Sequence, residues 1–185
     1  MSSSFTIYRI VSILFNMKKI VIIGTCGSGK TTLGRQLGKR LNIPVTDLDD
    51  LYWLPHWKFR PEEECSDLIE KTVAQEEWIV CGNQSKYRAL IWPKADTIIW
   101  LDFPLHILFW RLLSRGIRQM ISGEMICNGN QQTLYRLLWI LHWLFRRYWR
   151  NKKRYGTLSQ TTPHVHWIHL TNGSAIQSFI KSLNS

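Results

Sequence analysis

The sequence predicts an α/β fold with a mostly parallel sheet and helices on both faces. Five short apolar runs alternate with stretches of helical periodicity, which is typical of strands joined by crossover helices. The first run, residues 19–23, is unbroken after its lysine, as expected for a strand buried on both faces. A chain of 185 residues with 45% hydrophobic and 20% charged side chains has the composition of one globular domain.

The first half of the chain divides into three strands and two helices. Strands are expected at residues 19–23, 45–48 and 78–81, and helices at residues 30–41 and 61–75. The first helix carries Leu33, Leu37 and Leu41 at intervals of four on its buried side. An aromatic loop, residues 51–59, precedes the second helix, and Pro61 with three following glutamates marks that helix's start.

The second half continues the alternation. Strands are expected at residues 96–102 and 165–170, and helices at residues 104–115, 133–150 and 175–183, with a Gly- and Asn-containing loop at residues 116–132. No repeat or low-complexity linker interrupts the chain. We therefore expect a single domain over residues 17–185. Residues 1–16 are expected to be an N-terminal extension, because Met17 opens a typical first strand and has the form of a true start.

Several classes of protein are excluded by the sequence. Arg9 interrupts the apolar stretch of residues 1–16, and no small-residue cleavage site follows, so a signal peptide is not expected. Charged residues break the other apolar stretches, so no transmembrane helix is expected. The four cysteines form no metal or disulfide pattern, which favours a reducing, cytoplasmic location.

Positive charge is concentrated in the second half of the chain. The whole sequence has 24 Lys and Arg against 13 Asp and Glu, a net charge of +11. Residues 103–185 contain 11 of these basic residues and a single acid, Glu124. Such a surplus fits a phosphate-rich partner, whether a nucleotide, a nucleic acid or an anionic lipid. A solvated basic surface is the simpler alternative.

A phosphate-loop motif is the strongest functional signal. The stretch GTCGSGKT, residues 24–31, fits G-x-x-x-x-G-K-[ST] and lies between a predicted strand and a predicted helix. Its glycines allow backbone N–H groups to converge on phosphate oxygens. Lys30 would reach the β- and γ-phosphates, and the Thr31 hydroxyl would bind Mg²⁺. The residues expected to bind the nucleotide are Gly24, Gly27, Ser28, Gly29, Lys30, Thr31 and Thr32.

Two carboxylates are expected beside this loop. Asp47 and Asp49 close the second predicted strand, and their i, i+2 spacing would point both side chains to one side. That side is the carboxyl edge of the sheet, where ligands of open α/β folds bind. A carboxylate there can accept a substrate proton or hold a water of the metal. Capping of backbone amides at the start of a loop is the alternative interpretation.

Four segments carry a family resemblance. They are the phosphate loop, LDDLYWLPHW at residues 48–57, WIVCGN at 78–83 and ADTIIWLDFP at 95–104. Together they resemble the small adenylate-kinase-like P-loop proteins known as DNA topology modulation proteins. The resemblance implies a P-loop NTPase three-layer sandwich with a five-stranded parallel sheet of order 2-3-1-4-5. It also implies ATP as phosphoryl donor with Mg²⁺, and a lid at about residues 115–133.

The resemblance also assigns roles to particular residues. Similarity to shikimate- and gluconate-type kinases, which carry D-x-D at this place, implies that Asp47 lies toward the metal water and Asp49 toward the acceptor hydroxyl. Arg111 and Arg115 match in place the lid-entry arginines of adenylate kinases, and Arg115 and Arg118 are lid candidates that would contact phosphates. Solvated helix charges are an equally simple interpretation of these arginines.

One position departs from the family pattern. Cys81-Gly82-Asn83 stands where the family usually has Asp-Gly-Asn, so a carboxylate expected to hold a metal-bound water is missing. A neutral thiol cannot replace that charge, and we expect Cys81→Asp to strengthen magnesium-dependent ATP binding. Asp102 is a candidate to compensate for it. Asn83, Gln84 and Lys86 are candidates for the acceptor side, with ordinary capping as the alternative.

The sequence therefore predicts an ATP-dependent phosphotransferase that acts on a small hydroxylated or phosphorylated acceptor. The predicted catalytic residues are Lys30, Asp49, Arg111 and Arg115, the predicted metal ligands are Thr31 and Asp47, and Arg118 joins the nucleotide-binding set. A nucleic-acid-binding ATPase or switch is the alternative. The aromatic and basic residues 134–150 are compatible with an interfacial helix or with nucleic acid, although a helix that covers the sheet is the commoner arrangement.

Overall fold

The computed structural model describes residues 17–82, 84–162 and 164–183. The strands, numbered in chain order, are β1 (Lys19–Gly24), β2 (Val45–Asp47), β3 (Trp53–Leu54), β4 (Lys58–Phe59), β5 (Trp78–Cys81), β6 (Thr97–Leu101), β7 (Met125–Ile126), β8 (Asn130–Gln131) and β9 (His166–Leu170). The helices are α1 (Lys30–Leu41), α2 (Leu48–Tyr52), α3 (Glu62–Val73), α4 (Arg88–Ile91), α5 (Leu105–Ser122), α6 (Leu134–Thr161) and α7 (Gly173–Ser182). The predicted extension, residues 1–16, and Asn83 lie outside the described residues.

Five strands form one parallel sheet in the order β2-β5-β1-β6-β9. Counted among themselves, these strands have the predicted order 2-3-1-4-5. Parallel pairing places all five carboxyl ends at one edge, so the phosphate loop after β1 lies among the ends of its neighbours. The sequence did not predict the two short antiparallel hairpins, β3–β4 and β7–β8. Both hairpins contribute to the site described below.

Two hydrophobic clusters cover the two faces of the sheet. Successive residues of β1 point alternately into the two clusters, so Ile20 and Ile22 belong to one cluster and Val21 and Ile23 to the other. All four side chains are fully buried or nearly so. This two-sided burial explains why the strands are apolar without the alternation of a half-exposed sheet.

The structure corrects the predicted ends of two helices. The prediction ended one helix at Arg115 because Gly116 follows, but α5 continues to Ser122. Gly116 lies inside the helix, at the point where α6 packs closely against α5. A Cβ on Gly116 would lie 2.5 Å from a methyl carbon of Leu137. The other helix was predicted to end near Arg150, but α6 runs on to Thr161 because buried Tyr148 and Tyr155 extend its apolar stripe.

The helices α5 and α6 form an antiparallel pair beside the phosphate loop. Gly27 lies so close to α5 that a Cβ there would be 2.9 Å from Leu112. Phe109 of α5 meets Phe145 of α6 with ring centroids 5.9 Å apart. Among the residues that the structure describes, no helix has the length and apolar character of a membrane span.

Candidate active site

The phosphate loop has the backbone shape that its glycines permit. Gly27 and Gly29 have φ of 80° and 91°, in the left-handed region that a residue with a Cβ rarely adopts. Gly29 immediately precedes α1, and nothing lies within 4 Å of where its Cβ would be. Ser28 Oγ is buried without a hydrogen-bond partner. An open backbone concavity at a helix N-terminus, with an unpaired hydroxyl inside it, fits an anionic oxygen group.

Lys30 is the cation of this loop. Its Nζ donates to the carbonyl oxygens of Gly24 at 3.2 Å and Thr25 at 3.4 Å, so the ammonium is folded back over the loop. Carbonyl contacts of this kind position the ammonium without neutralising its charge. Thr32, which the sequence placed in the same site, is exposed in the first turn of α1.

Thr31 and Asp47 meet across the site, as predicted. The Thr31 hydroxyl donates to Asp47 Oδ2 at 2.5 Å, and the other oxygen of Asp47 accepts the backbone N–H of Asp49 at 3.0 Å. The carboxylate therefore also caps α2, which was the alternative interpretation of this residue. The predicted geometry was wrong in one respect. The strand ends at Asp47 and a helix begins, so Asp49 reaches the site from the first turn of α2 and not from a strand.

Asp49 lies between positive and negative neighbours. It is solvent-accessible, yet enough protein surrounds its carboxyl that burial raises its pKa, and the charge of Asp47 raises it further. Lys30, a hydrogen bond from Gln84 and the charge of Arg115 act in the opposite direction. The Oε1 atom of Gln84 is buried and has no partner. Asp49 is thus a carboxylate with a raised proton affinity beside the lysine of the phosphate loop.

The structure separates the three predicted arginines. Arg115 faces Asp49 and lowers the pKa of its carboxyl. Arg111 instead lies over the ring of Phe103, with its guanidinium carbon 4.3 Å from the ring centre. Arg118 is exposed on α5. One helical turn therefore brings Arg115 to the acidic residues, whereas Arg111 packs near the end of β6.

Two asparagines of the β7–β8 hairpin, Asn128 and Asn130, hold the segment that follows Asp49, and the sequence did not predict this role. Asn130, almost fully buried, donates to the Leu54 carbonyl at 3.0 Å and accepts the backbone N–H of Trp57 at 2.6 Å. Asn128 donates to the carbonyls of Asp50 and Trp53, each at 2.6 Å. These bonds fasten the hairpin β7–β8 to the aromatic hairpin β3–β4. The signal that could have found the hairpin is Asn128-Gly129, a turn dipeptide between two short strands.

Cys81 is the last residue of β5, beside β1 and in register with Asp47 of β2, as the sequence predicted. Its side chain is fully buried, and its Sγ donates to the Lys30 carbonyl at 3.5 Å. A Cβ on Gly34 of α1 would lie 2.2 Å from that sulfur. Burial, with a smaller contribution from Asp47, raises the pKa of the thiol to about 12. Cys81 is therefore a buried, neutral residue that packs under α1.

Asp102 is engaged elsewhere and does not compensate for a missing carboxylate. One of its oxygens pairs with Lys152 Nζ and with His169 Nε2, both at 3.1 Å. Within the described ranges, no three His, Cys, Asp or Glu side chains are grouped as a metal site would require. The hydroxyl of Thr31 and the carboxylate of Asp47 are oxygens of the kind that Mg²⁺ prefers, and they are in contact here.

The parallel sheet, the phosphate loop at the centre of its carboxyl edge and the paired aspartates together define the P-loop kinase fold. A shikimate kinase structure from Acinetobacter baumannii superposes with a TM-score of 0.52 at 18% identity, covering 94% of each chain. At that identity the likeness concerns the fold alone. The chain belongs to the AAA domain family, whose model matches residues 20–127.

Two sequence relatives extend the comparison. The chain is 33% identical over 116 residues to the uncharacterized protein YqaC of Bacillus subtilis, a match that covers 62% of this chain and 65% of YqaC. It is 29% identical over 120 residues to threonine synthase-like 1 of Mus musculus, covering 57% of this chain and 16% of that protein. The chain therefore spans less than two thirds of either relative.

Proposed function

We propose that this protein is an ATP-dependent kinase that transfers the γ-phosphoryl group to a hydroxyl or phosphate oxygen of a small molecule. The observation that carries the proposal is the position of Asp49. Its backbone N–H donates to Asp47, whose carboxylate accepts the Thr31 hydroxyl. The positive charges of Lys30 and Arg115 both act on the Asp49 carboxyl, whose pKa burial raises. A phosphate loop alone serves many NTPases, but an acidic group placed toward an acceptor is what phosphoryl transfer to a hydroxyl needs.

On the donor side, the chain holds the phosphates and orients them. The backbone of residues 24–29 surrounds the phosphate oxygens, Lys30 neutralises their charge, and Thr32 at the start of α1 lies toward the α-phosphate. Thr31 and Asp47 would hold Mg²⁺, which supplies charge neutralisation of the phosphate oxygens when it is bound. The hydroxyl and carboxylate that already meet there are the oxygen ligands this ion prefers.

On the acceptor side, Asp49 accepts the proton of the attacking hydroxyl. The acceptor oxygen forms a bond to the γ-phosphorus as the bond from that phosphorus to the β–γ bridging oxygen breaks, which leaves ADP. Arg115 neutralises charge that develops on the transferred group. The unpartnered Oε1 of Gln84 is available to a second hydroxyl of the acceptor.

The proposal extends to the lid and to the kind of P-loop kinase. We assign residues 115–133 as the lid of a single domain over residues 17–185, because Asn128 in this segment contacts the carbonyls of Asp50 in α2 and Trp53 in β3, close to Asp49. Arg115 and Arg118 belong to the lid in this assignment, and Arg111 lies on α5 one turn before it. An adenylate-kinase-like relation to the topology modulation proteins and a cytoplasmic location remain parts of the proposal.

A direct experiment is an ATP-consumption assay against panels of nucleosides, nucleotides, sugars and small hydroxy acids, with Mg²⁺ present. We expect one acceptor class to yield a phosphorylated product and ADP in equal amounts, identified by mass spectrometry. The Asp49→Asn variant should bind ATP but lose this product. ATP hydrolysis that no acceptor increases, and that Asp49→Asn leaves unchanged, would contradict the proposal.

A nucleic-acid-binding ATPase is the second candidate, favoured by the charge of α5 and α6. Their sequences contain ten Lys and Arg and no acidic residue. This candidate predicts that DNA stimulates ATP hydrolysis and that DNA affinity falls steeply with salt. Hydrolysis that DNA does not change would leave the small-molecule kinase as the assignment.

A further inference from the structure

The outer surface of α5 and α6 carries large apolar side chains in regular positions. On α5, Trp110, Ile117 and Ile121 follow one another at intervals of seven and four, and they are 63%, 42% and 82% exposed. These spacings place all three on one side of the helix. The buried side of α5, which contains Leu108 and Leu112, faces the core. The exposed stripe therefore belongs to a different side from the one that packs against the phosphate loop.

A second apolar stripe lies on α6. Leu134, Leu138, Phe145 and Trp149 are exposed and spaced by four, seven and four residues. Phe109 joins the two stripes, because its ring contacts Trp110 on its own helix at 5.4 Å and Phe145 on α6 at 5.9 Å. We call this continuous surface the α5–α6 apolar face. Exposed apolar surface of this extent is uncommon on a monomer and indicates an interaction site.

Charge decides which kind of partner fits this face. Neither helix contains an acidic residue, and exposed Arg146, Arg150 and Lys153 lie on α6 beside the apolar stripe. A second copy of the chain would bring like charges together. Residues 1–16 contain Arg9 and no acid, so they offer no complementary charge either. The partner must therefore be both anionic and apolar.

We propose that the α5–α6 apolar face docks on an anionic lipid bilayer, with the two helices lying in the interface. Aromatic and aliphatic side chains would enter the boundary between headgroups and acyl chains, while the arginines meet lipid phosphates. Nucleic acid would satisfy the positive charge, but its phosphate backbone offers no partner for Ile117, Ile121 or Leu138. This inference does not depend on the proposed kinase activity.

The test is flotation of the full chain with vesicles of phosphatidylcholine alone or with about one third phosphatidylglycerol. We expect binding to the anionic vesicles only, weakened as salt is raised. The double variant Leu138→Glu/Phe145→Glu lowers the charge by two on the apolar face and should weaken binding by about tenfold or more. The matched control Lys39→Ala/Lys71→Ala lowers the charge by the same amount at exposed positions on α1 and α3, and should weaken binding far less. Circular dichroism melting of both variants verifies that each is folded.

Several outcomes would overturn the proposal. Failure of the parent protein to bind anionic vesicles would do so, as would equal losses in the two double variants. Binding of duplex DNA without binding of vesicles would assign the face to nucleic acid. A dimer that the Leu138→Glu/Phe145→Glu variant dissociates, again without vesicle binding, would assign it to a second copy. If only a protein lacking residues 1–16 bound vesicles, that segment would be the occupant of the face.

Discussion

The donor and acceptor sides of the site are built in different ways. The residues assigned to the phosphates on the donor side form one continuous segment, residues 24–32, which runs from the end of β1 into the first turn of α1. The acceptor side brings together Asp49 of α2, Gln84 after β5 and Arg115 of α5, with a hairpin from residues 125–131 beyond them. A site made from one segment can be recognised in the sequence as a motif. A site assembled from four segments can be recognised only once the tertiary fold is known.

The largest expected effect lies on the donor side. Lys30→Ala removes a charge aimed at phosphate but packs no core, so we expect ATP affinity to fall by about 10³-fold while the melting temperature stays nearly unchanged. Lys39→Ala, nine residues further along the same helix and exposed, is the matched control and should bind ATP normally. Calorimetric titration measures both. If Lys30→Ala bound ATP as tightly as the parent, the phosphate loop would not be the ATP-binding site.

The next effect isolates the acceptor side. Asp49→Asn keeps the shape but cannot take a proton, so we expect kcat to fall by about 10²-fold with ATP affinity changed by less than about twofold. Burial raises the pKa of Asp49, so in the parent the protonated, inactive form should persist to a higher pH than for an ordinary aspartate. The acid limb of the pH–rate profile should shift accordingly. Asp50→Asn, the exposed neighbour, is the control and should retain activity.

Cys81 contacts the Lys30 carbonyl on the donor side, and its burial leads to an expectation opposite to the one drawn from the sequence. Cys81→Asp would bury a carboxylate against the Lys30 carbonyl and beside Asp47, so we expect a loss of about 3 kcal/mol in the free energy of unfolding. Cys81→Ala should cost about 1 kcal/mol, since it removes only a small buried atom. Urea denaturation with and without Mg²⁺ compares them. An Asp variant that Mg²⁺ stabilises beyond the parent would restore the metal-adjacent interpretation.

The smallest expected effect concerns the hairpin. Asn130→Ala removes the amide that bonds Leu54 and Trp57, so we expect the KM for the acceptor to rise about tenfold with little change in ATP affinity. Gln131→Ala removes an exposed amide from the adjacent residue and is the control. Steady-state kinetics with the acceptor from the panel gives both constants. Equal rises in the KM for ATP and for acceptor would show that the hairpin serves both sides.

The sequence was sufficient for the sheet and for the place of the phosphate-loop motif between β1 and α1. The order of the five strands followed from a resemblance, and the bounds of α1 and β5 agree with the prediction, because strong apolar patterns and caps are local signals. The predicted end of α5 was wrong because Gly116 was taken as a helix terminus. Its role depends on Leu137, twenty-one residues away, and no local pattern shows that contact.

The candidate site shows the same division. Thr31 and Asp47, the two predicted metal ligands, are hydrogen-bonded to each other, although β5 lies between β1 and β2 in the sheet. Cys81 was placed beside the metal by analogy with a carboxylate, and its burial under Gly34 became evident only from packing. Asn130 was missed because a buried asparagine in a turn resembles any loop residue until its partners on the aromatic hairpin are known.

The contact between Gly27 and α5 has a consequence for how the two substrates influence each other. The middle of α5 approaches the phosphate loop through Leu112, and one turn later the charge of Arg115 acts on Asp49. A rigid helix that touches both subsites makes their occupancies thermodynamically linked. If nucleotide binding to the phosphate loop shifts α5, the affinity for the acceptor changes by some factor. Acceptor binding must then change the affinity for the nucleotide by that same factor. A Gly27→Ala substitution, which presses on Leu112, should alter this reciprocal coupling.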